Sequence, residues 1–275
     1  MCHHRHHVTL LLFLLSLLAL LVAKEQNIFP TTVTKKTKKT KNRMEFVSPT
    51  EEELREVAIL KERIKGNSEE EVTPELIGEL TDLAYLRFFR GRKGIMDDAF
   101  NSLISHLKWR NQNDVVNFEA FDISNEVATN KSFIKGTDKL LHPVIYVFAR
   151  RHDKYNRDVD EITRFIIHTI NKSLAESVPS EEQIIIVFDL TSFGLSCMDY
   201  EAVKILIGIL AHNYPEILSK VHIVNHPWLF NACWAVISPW IDPVTAQKVN
   251  FTSIADLSKF IDAECIPEDV GNYDN

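Results

Sequence analysis

Glycine is scarce in this chain, with 8 in 275 residues. So few disfavour Gly-rich phosphate loops and collagen-like or low-complexity architectures. Cysteine is scarcer still. Cys2, Cys197, Cys233 and Cys265 make no CxxC pair and no ligand-like spacing, which argues against a disulfide framework and a zinc site. Three of the four lie in apolar segments, where a free thiol is usually a small core residue, and a reducing compartment suits them. No P-loop, G-x-S-x-G, H-E-x-x-H or dinucleotide fingerprint occurs. Asp189, His212 and His222 form no nucleophile–base pattern. An enzyme is not expected, nor a metal or organic cofactor. Positive charge is missing from most of the chain as well. The net charge is -7, and the one dense basic run is Lys35, Lys36, Lys38, Lys39, Lys41 and Arg43. Nucleic-acid binding by the rest is therefore not expected.

Long apolar runs are also lacking, with one exception. Residues 8–23 (VTLLLFLLSLLALLVA) carry no charge. A helix of that length spans about 24 Å, short of the roughly 30 Å hydrocarbon core of a bilayer. Three readings compete: a membrane anchor, a secretory signal peptide, and a start codon placed too early. The anchor leads. The basic run on its C-terminal side would place the body on the cytoplasmic face, and would be drawn to anionic lipid by about 1 kcal/mol per lysine. Ala23 suits a signal cleavage site, whereas Leu21 does not. Sequons at Asn130, Asn171 and Asn250 would favour secretion if used, but the last two fall in expected helix or strand. The HHRHH tract at 3–7 reads as a polar flank rather than a metal site.

Forty-five per cent of the residues are apolar, enough for a sizeable core. The patterns divide the chain into a hydrophobic segment and basic linker (1–47), a small helical domain (48–115) and a larger domain (116–275). Ser48-Pro49 ahead of three glutamates, and Thr73-Pro74-Glu75, read as helix starts. Asp97 to Arg110 places Phe100, Leu103, Ile104 and Leu107 on one face. After Val115 come short apolar runs typical of buried strands, at 143–149, 184–190, 221–224 and 249–252. Helical patterns at 158–176, 198–213, 228–238 and 253–263 separate or follow them. The alternation predicts an α/β fold with a mixed or parallel sheet covered by helices.

Residues 214–248 hold a Tyr-Pro-Glu turn, a short strand and a helix rich in Trp and Phe between Pro227 and Pro239. A Thr/Lys pair closes the segment. A greasy helix hinged by prolines and followed by a cation suits the cover of a hydrophobic cavity with a charged group at its rim. That points to lipid handling rather than bond-making.

LRFFRGRKGIMDDAFNSLISHLKWR (86–110) resembles the helical N-terminal region of the CRAL-TRIO lipid-binding family. FDLTSFGLSCMDY, YPE, HIVNHPWLF, DPVTAQKV and IPEDVGN follow in the order of that family's lipid-binding domain. Fungal phosphatidylinositol transfer proteins are the most similar members. The last motif usually ends Gly-Gly, and here Asn272 replaces the second glycine. The resemblance implies a helical region beside a sheet-floored pocket that holds one lipid under a mobile gate helix, here Trp228 to Asp242. It implies phosphatidylinositol as the bound ligand, phospholipid membranes and phosphoinositide-kinase pathway components as partners, and transfer or presentation of lipid as the activity.

Carried over residue by residue, the family's inositol-phosphate site falls on Arg92, Glu216, Thr245 and Lys248. The chemistry fits, with a point charge and a hydroxyl for phosphate and a carboxylate for inositol hydroxyls. Phe188, Phe193, Trp228, Phe230, Trp234 and Ile237 are the expected pocket and gate residues. Members that also take phosphatidylcholine carry hydroxyl side chains where this chain has Ile184 and Ile186, so a sterol- or isoprenoid-like second ligand fits better. The competing reading is a membrane-anchored lipid sensor or adaptor.

Overall fold

A computed structural model gives the fold and describes residues 47–178 and 182–272. The apolar run at 8–23 and the basic run at 35–43 lie outside the described residues. Among those described, no helix is long and apolar enough to cross a membrane.

The first described helices pack on one another. Helix α1 (Glu51–Lys65) begins with a capping box, in which Thr50 accepts from the Glu53 amide while Glu53 accepts from the Thr50 amide. Thr50 is therefore the cap, and the proline expected in the first turn, Pro49, lies before it. Thr73 caps α2 (Pro74–Gly78) with Pro74 at its first position, as the sequence suggests. Helices α3 (Asp82–Gly91) and α4 (Met96–Gln112) complete the group. Leu60, Ile64, Phe88, Leu103 and Leu107 form its core.

A 3₁₀ segment (Val115–Ala120) and the short α5 (Ser124–Ala128) lead into a five-stranded sheet. Its strands are β1 (Ser132–Thr137), β2 (Pro143–Phe148), β3 (Ile184–Asp189), β4 (Leu218–Val224) and β5 (Val249–Phe251). They lie in the order β1-β2-β3-β4-β5, with β1 antiparallel to β2 and all later pairs parallel. The fold is thus α/β with a mixed sheet, as expected, although β1 went unforeseen. Helix α6 (Val159–Ala175) joins β2 to β3, and α7 (Tyr200–Asn213) joins β3 to β4. Helix α8 (Phe230–Ile237), a 3₁₀ turn (Ser238–Trp240) and α9 (Pro243–Ala246) join β4 to β5. Because the strand order never reverses, right-handed crossovers put all these helices on one face.

Strand alternation separates two apolar layers. Ile145, Ile184, Ile186, Val221 and Ile223 face the crossover helices. Val144, Tyr146, Ile185, Val187 and Val224 face the C-terminal segment, which brings Leu257, Ile261 and Val270. The helix expected over 253–263 is shorter, ending as α10 (Ile254–Leu257). The chain turns there so that Ile261 can bridge to Asp138.

Candidate functional site

Two of the expected head-group residues meet at the amino ends of the parallel strands. Glu216 precedes β4 and Lys248 precedes β5, and the Lys248 ammonium lies 3.7 Å from a Glu216 carboxylate oxygen. Lys248 is largely enclosed, its side chain 12 % exposed, whereas Glu216 is 40 % exposed. Glu216 adopts the left-handed conformation at φ 62°, uncommon for a residue with a side chain and often a mark of a functional turn. Thr245 is adjacent, its carbonyl accepting from the Lys248 amide at 3.0 Å. Burial works against the charge of Asp242, but hydrogen bonds from the Thr245 side chain and from the Thr245 and Val244 amides overcome it, holding that carboxyl below its ordinary range. The Val244 and Thr245 amides donate to Asp242 Oδ1 at 2.9 and 3.0 Å, so Asp242 fixes the turn that carries Thr245.

Arg92 behaves differently. Its guanidinium donates to Ser102 Oγ at 2.7 Å and to the Gly91 carbonyl at 3.4 Å. It lines an open groove of about 750 Å³ between α4 and α7, shared with Trp109, Thr163, His212 and Asn213. Besides Lys248, the cation that feels the Glu216 charge is Arg90 rather than Arg92, its pKa raised first by Glu53 and further by Glu216. Arg90 forks onto Glu53 at 2.7 and 2.9 Å, and this hydrogen bonding pulls the Glu53 carboxyl down to about 2. Glu53, Arg90, Glu216 and Lys248 thus alternate in sign from α1 to β5. Gly91 permits this approach, since a Cβ there would sit 2.8 Å from the Pro215 ring.

The expected apolar residues gather on the helix-covered face, with one exception. Phe193, Phe230 and Ile237 are buried there, and Phe188 and Trp234 are half-buried against them. Phe193 meets Phe230 edge to face at 5.5 Å, and Trp234 packs on Phe251 at 5.4 Å. Trp228 stands 78 % exposed and contributes nothing to the interior. The turn that places Pro227 ahead of α8 swings it outward. The sequence reading passed over a half-buried apolar set on α7, namely Val203, Ile205, Ile207 and Leu210. A helix apolar on several sides is normally buried throughout, and this one is not. Ile184 and Ile186 are buried on the same face.

A hydrogen-bonded cluster at the entry to the segment between β4 and β5, the covering segment, sits at the opposite, carboxyl end of the strands. The buried Asp189 carboxylate accepts from Thr191 N at 2.9 Å, Thr191 Oγ1 at 2.6 Å and Asn225 Nδ2 at 3.1 Å. It also accepts from Arg150 at 2.9 Å and from Gly271 N at 3.1 Å. Burial disfavours its charge, but these hydrogen bonds outweigh burial and keep the carboxyl below its usual range. Asn225, at φ 54°, is the last residue before the covering segment. At the far end of that segment Trp240 lies edge-on to Tyr200 at 5.8 Å and under the Lys204 ammonium at 4.7 Å. Among the described residues, no group of His, Cys, Asp and Glu is placed to hold a metal ion.

Comparison with known proteins bears on this arrangement. The chain is 34% identical over 209 residues to the phosphatidylinositol transfer protein CSR1 of Eremothecium gossypii, covering 70% of this chain and 47% of that one. It is 27% identical to Patellin-4 of Arabidopsis thaliana, covering 73% and 39%. The chain therefore spans about half the length, or less, of these relatives. The crystal structure of Sfh5 superposes with a TM-score of 0.62 at 20% identity, covering 78% of this chain and 84% of the other, which supports the fold. The CRAL/TRIO domain model matches residues 128–271, just over half of the chain. The chain belongs to the CRAL/TRIO lipid-binding and transfer family.

Proposed function

We propose that this protein holds a single phospholipid, phosphatidylinositol foremost, and transfers or presents it between membranes. The observation that carries this reading is the Glu216–Lys248 pair at the polar end of a sheet face that collects Phe188, Phe193, Phe230, Trp234 and Ile237. In this reading Lys248 meets the phosphate, Glu216 accepts from inositol hydroxyls, and Thr245 donates its hydroxyl. Arg92 approaches from the groove side, and Arg90 is a further cation beside Glu216. The name of the Eremothecium gossypii relative supports the ligand. Residues 48–115 act as the helical domain, and 116–275 hold the lipid. The protein works at the cytoplasmic face of a membrane, and its chemistry is binding rather than catalysis.

The physical need for such a carrier is large. At about 0.8 kcal/mol per CH₂, a diacyl lipid with roughly thirty methylenes loses on the order of 20 kcal/mol on entering water. An enclosed apolar face replaces the bilayer during transit. A second reading rests on Ile184 and Ile186, buried on the same face. With no hydroxyl there to meet a phosphate, a sterol- or isoprenoid-like ligand is favoured over phosphatidylcholine as an alternative cargo.

The test is extraction and mass spectrometry of lipid bound to the purified chain, with Lys248→Ala beside it. Near-stoichiometric phosphatidylinositol is expected in the parent and at least tenfold less in the variant. The melting temperature should barely move, because Glu216 is 40 % exposed and stays solvated without its partner, and such a pair contributes about 0–1 kcal/mol. Equal loading of both proteins would refute the head-group assignment.

A further inference from the structure

Three loops leave the carboxyl ends of β2, β3 and β4, and each holds one large apolar side chain in solvent. Tyr155 is 80 % exposed and Leu195 58 %, and Trp228 stands out likewise. Hydrogen bonds gather the loops at one end of the molecule. The Lys154 amide donates to the Ser196 carbonyl at 3.4 Å, its ammonium donates to the Leu195 carbonyl at 2.7 Å, and the same ammonium lies 5.0 Å from the Tyr155 ring centre. Asn225 ties the third loop to the second through Thr191 Oγ1 at 2.8 Å.

We propose that Tyr155, Leu195 and Trp228 form a membrane-inserting edge for the surface of an uncharged bilayer. The inference rests on the lipid-carrier reading above and adds the orientation of the carrier. Charge supports the choice of partner. Residues 1–43 hold eight of the 31 basic side chains and one of the 38 acidic ones, leaving 23 basic against 37 acidic in residues 44–275. Such a body is repelled by an anionic surface. The loop from Thr191 to Met198 carries no charged residue. The acids beside Tyr155 are Asp153 and Asp158, which accept from the amides of Tyr155 and Glu161. Rings with a polar tip, and a lysine stem beside them, suit the bilayer interface. Three separate side chains standing out of short loops fit a soft medium, whereas a protein partner calls for a continuous packed patch.

Geometry supplies the second argument. The Glu216–Lys248 pair lies at the amino ends of the strands and the three loops at the carboxyl ends of the same sheet. Six residues of β3 separate the two ends by about 20 Å at 3.3 Å per residue. A bilayer lipid has its tails toward the membrane interior and its head group outward. With the loop edge down, the head-group site lies on the far side, so a lipid rises into the protein without turning over.

The experiment uses the full chain and phosphatidylcholine vesicles. Transfer of fluorescent phosphatidylinositol is compared for the parent, the double variant Tyr155→Ser/Leu195→Ser, and Leu141→Ser. Leu141 is exposed in the β1–β2 connection, at the opposite end of the sheet. At least a tenfold loss of rate is expected for the double variant, at unchanged lipid per protein, with Leu141→Ser like the parent. Unchanged transfer by the double variant, or an equal loss in Leu141→Ser, overturns the proposal. A second readout does not depend on cargo: fluorotryptophan NMR with nitroxide-labelled phosphatidylcholine. Trp228, assigned by Trp228→Phe, should broaden while Trp109 does not. If the parent neither loads nor transfers lipid yet Trp228 broadens, the carrier reading fails and the membrane edge stands. A sharp Trp228 signal, including one that responds only to a co-purifying protein, overturns the edge.

Discussion

Asp189 shows how one buried charge can organise a binding protein. Its carboxylate is saturated by donors from the β2 exit, its own loop, the entry to the covering segment and the C-terminal Gly271. Asp189→Ala removes the acceptor for all of them and leaves Arg150 without its buried carboxylate partner. A loss of about 3–5 kcal/mol is the magnitude for breaking a buried pair from one side, and urea unfolding of the variant measures it. A loss under 1 kcal/mol would mean that water takes over the site. Asp189→Asn should fall between, since an amide keeps one acceptor but turns an unwanted donor toward Arg150 or Gly271. At the other end of the strands the proposed role of Lys248 gives the opposite expectation, a pair with one solvated partner whose removal should be felt in ligand and hardly in stability.

Among the elements, the end of α3 decides which arginine does what. Arg90 is still on the helix and reaches Glu53, whereas at Arg92 the chain unwinds, and its side chain turns into the groove toward Ser102. The sequence shows four cations between Arg87 and Lys93 but not this divergence, because it depends on where the helix stops. The same holds for β1. Ser132–Thr137 reads SFIKGT, with a lysine and a glycine in place of clean alternation, and it becomes a strand through pairing with β2. Parallel strands, by contrast, announce themselves as unbroken β-branched runs such as Ile184 to Val187. The resemblance puts Trp228 among the pocket and gate residues, and the exposed turn before α8 leaves its side chain in solvent. Gly91 offers a test of how α3 is seated. Gly91→Ala gains about 1 kcal/mol of helix propensity but drives a methyl into the stiff Pro215 ring. Overpacking of this kind costs about 1–3 kcal/mol. Net destabilisation is expected in thermal unfolding, and a stabilised variant would show that the YPE turn can shift freely.

For the molecule as a whole, the contact between the helical region and the end of α7 carries a pH dependence. His106 on α4 is buried against Phe88, Trp109 and Tyr214 and lies 3.2 Å from the Asn213 side-chain oxygen. Burial, aided by the Arg110 and Arg87 charges, pulls its pKa down to about 3. A histidine depressed by folding binds its proton more readily when unfolded, so its contribution is complete above about pH 6.5 and declines as the pH falls toward the folded value. Between pH 7.5 and pH 5 it alone accounts for about 2 kcal/mol of lost stability. The buried His222, pulled down to about 4 by burial and Lys220, acts in the same direction. Urea midpoints at the two pH values should differ accordingly, and His106→Phe should flatten the difference. Beside this contact runs the row Glu53, Arg90, Glu216 and Lys248, two carboxylates and two cations that sum to zero. On the lipid-carrier reading proposed above, an empty site of this kind needs no borrowed counter-ion, so release of cargo at one membrane and return to another would leave no uncompensated charge.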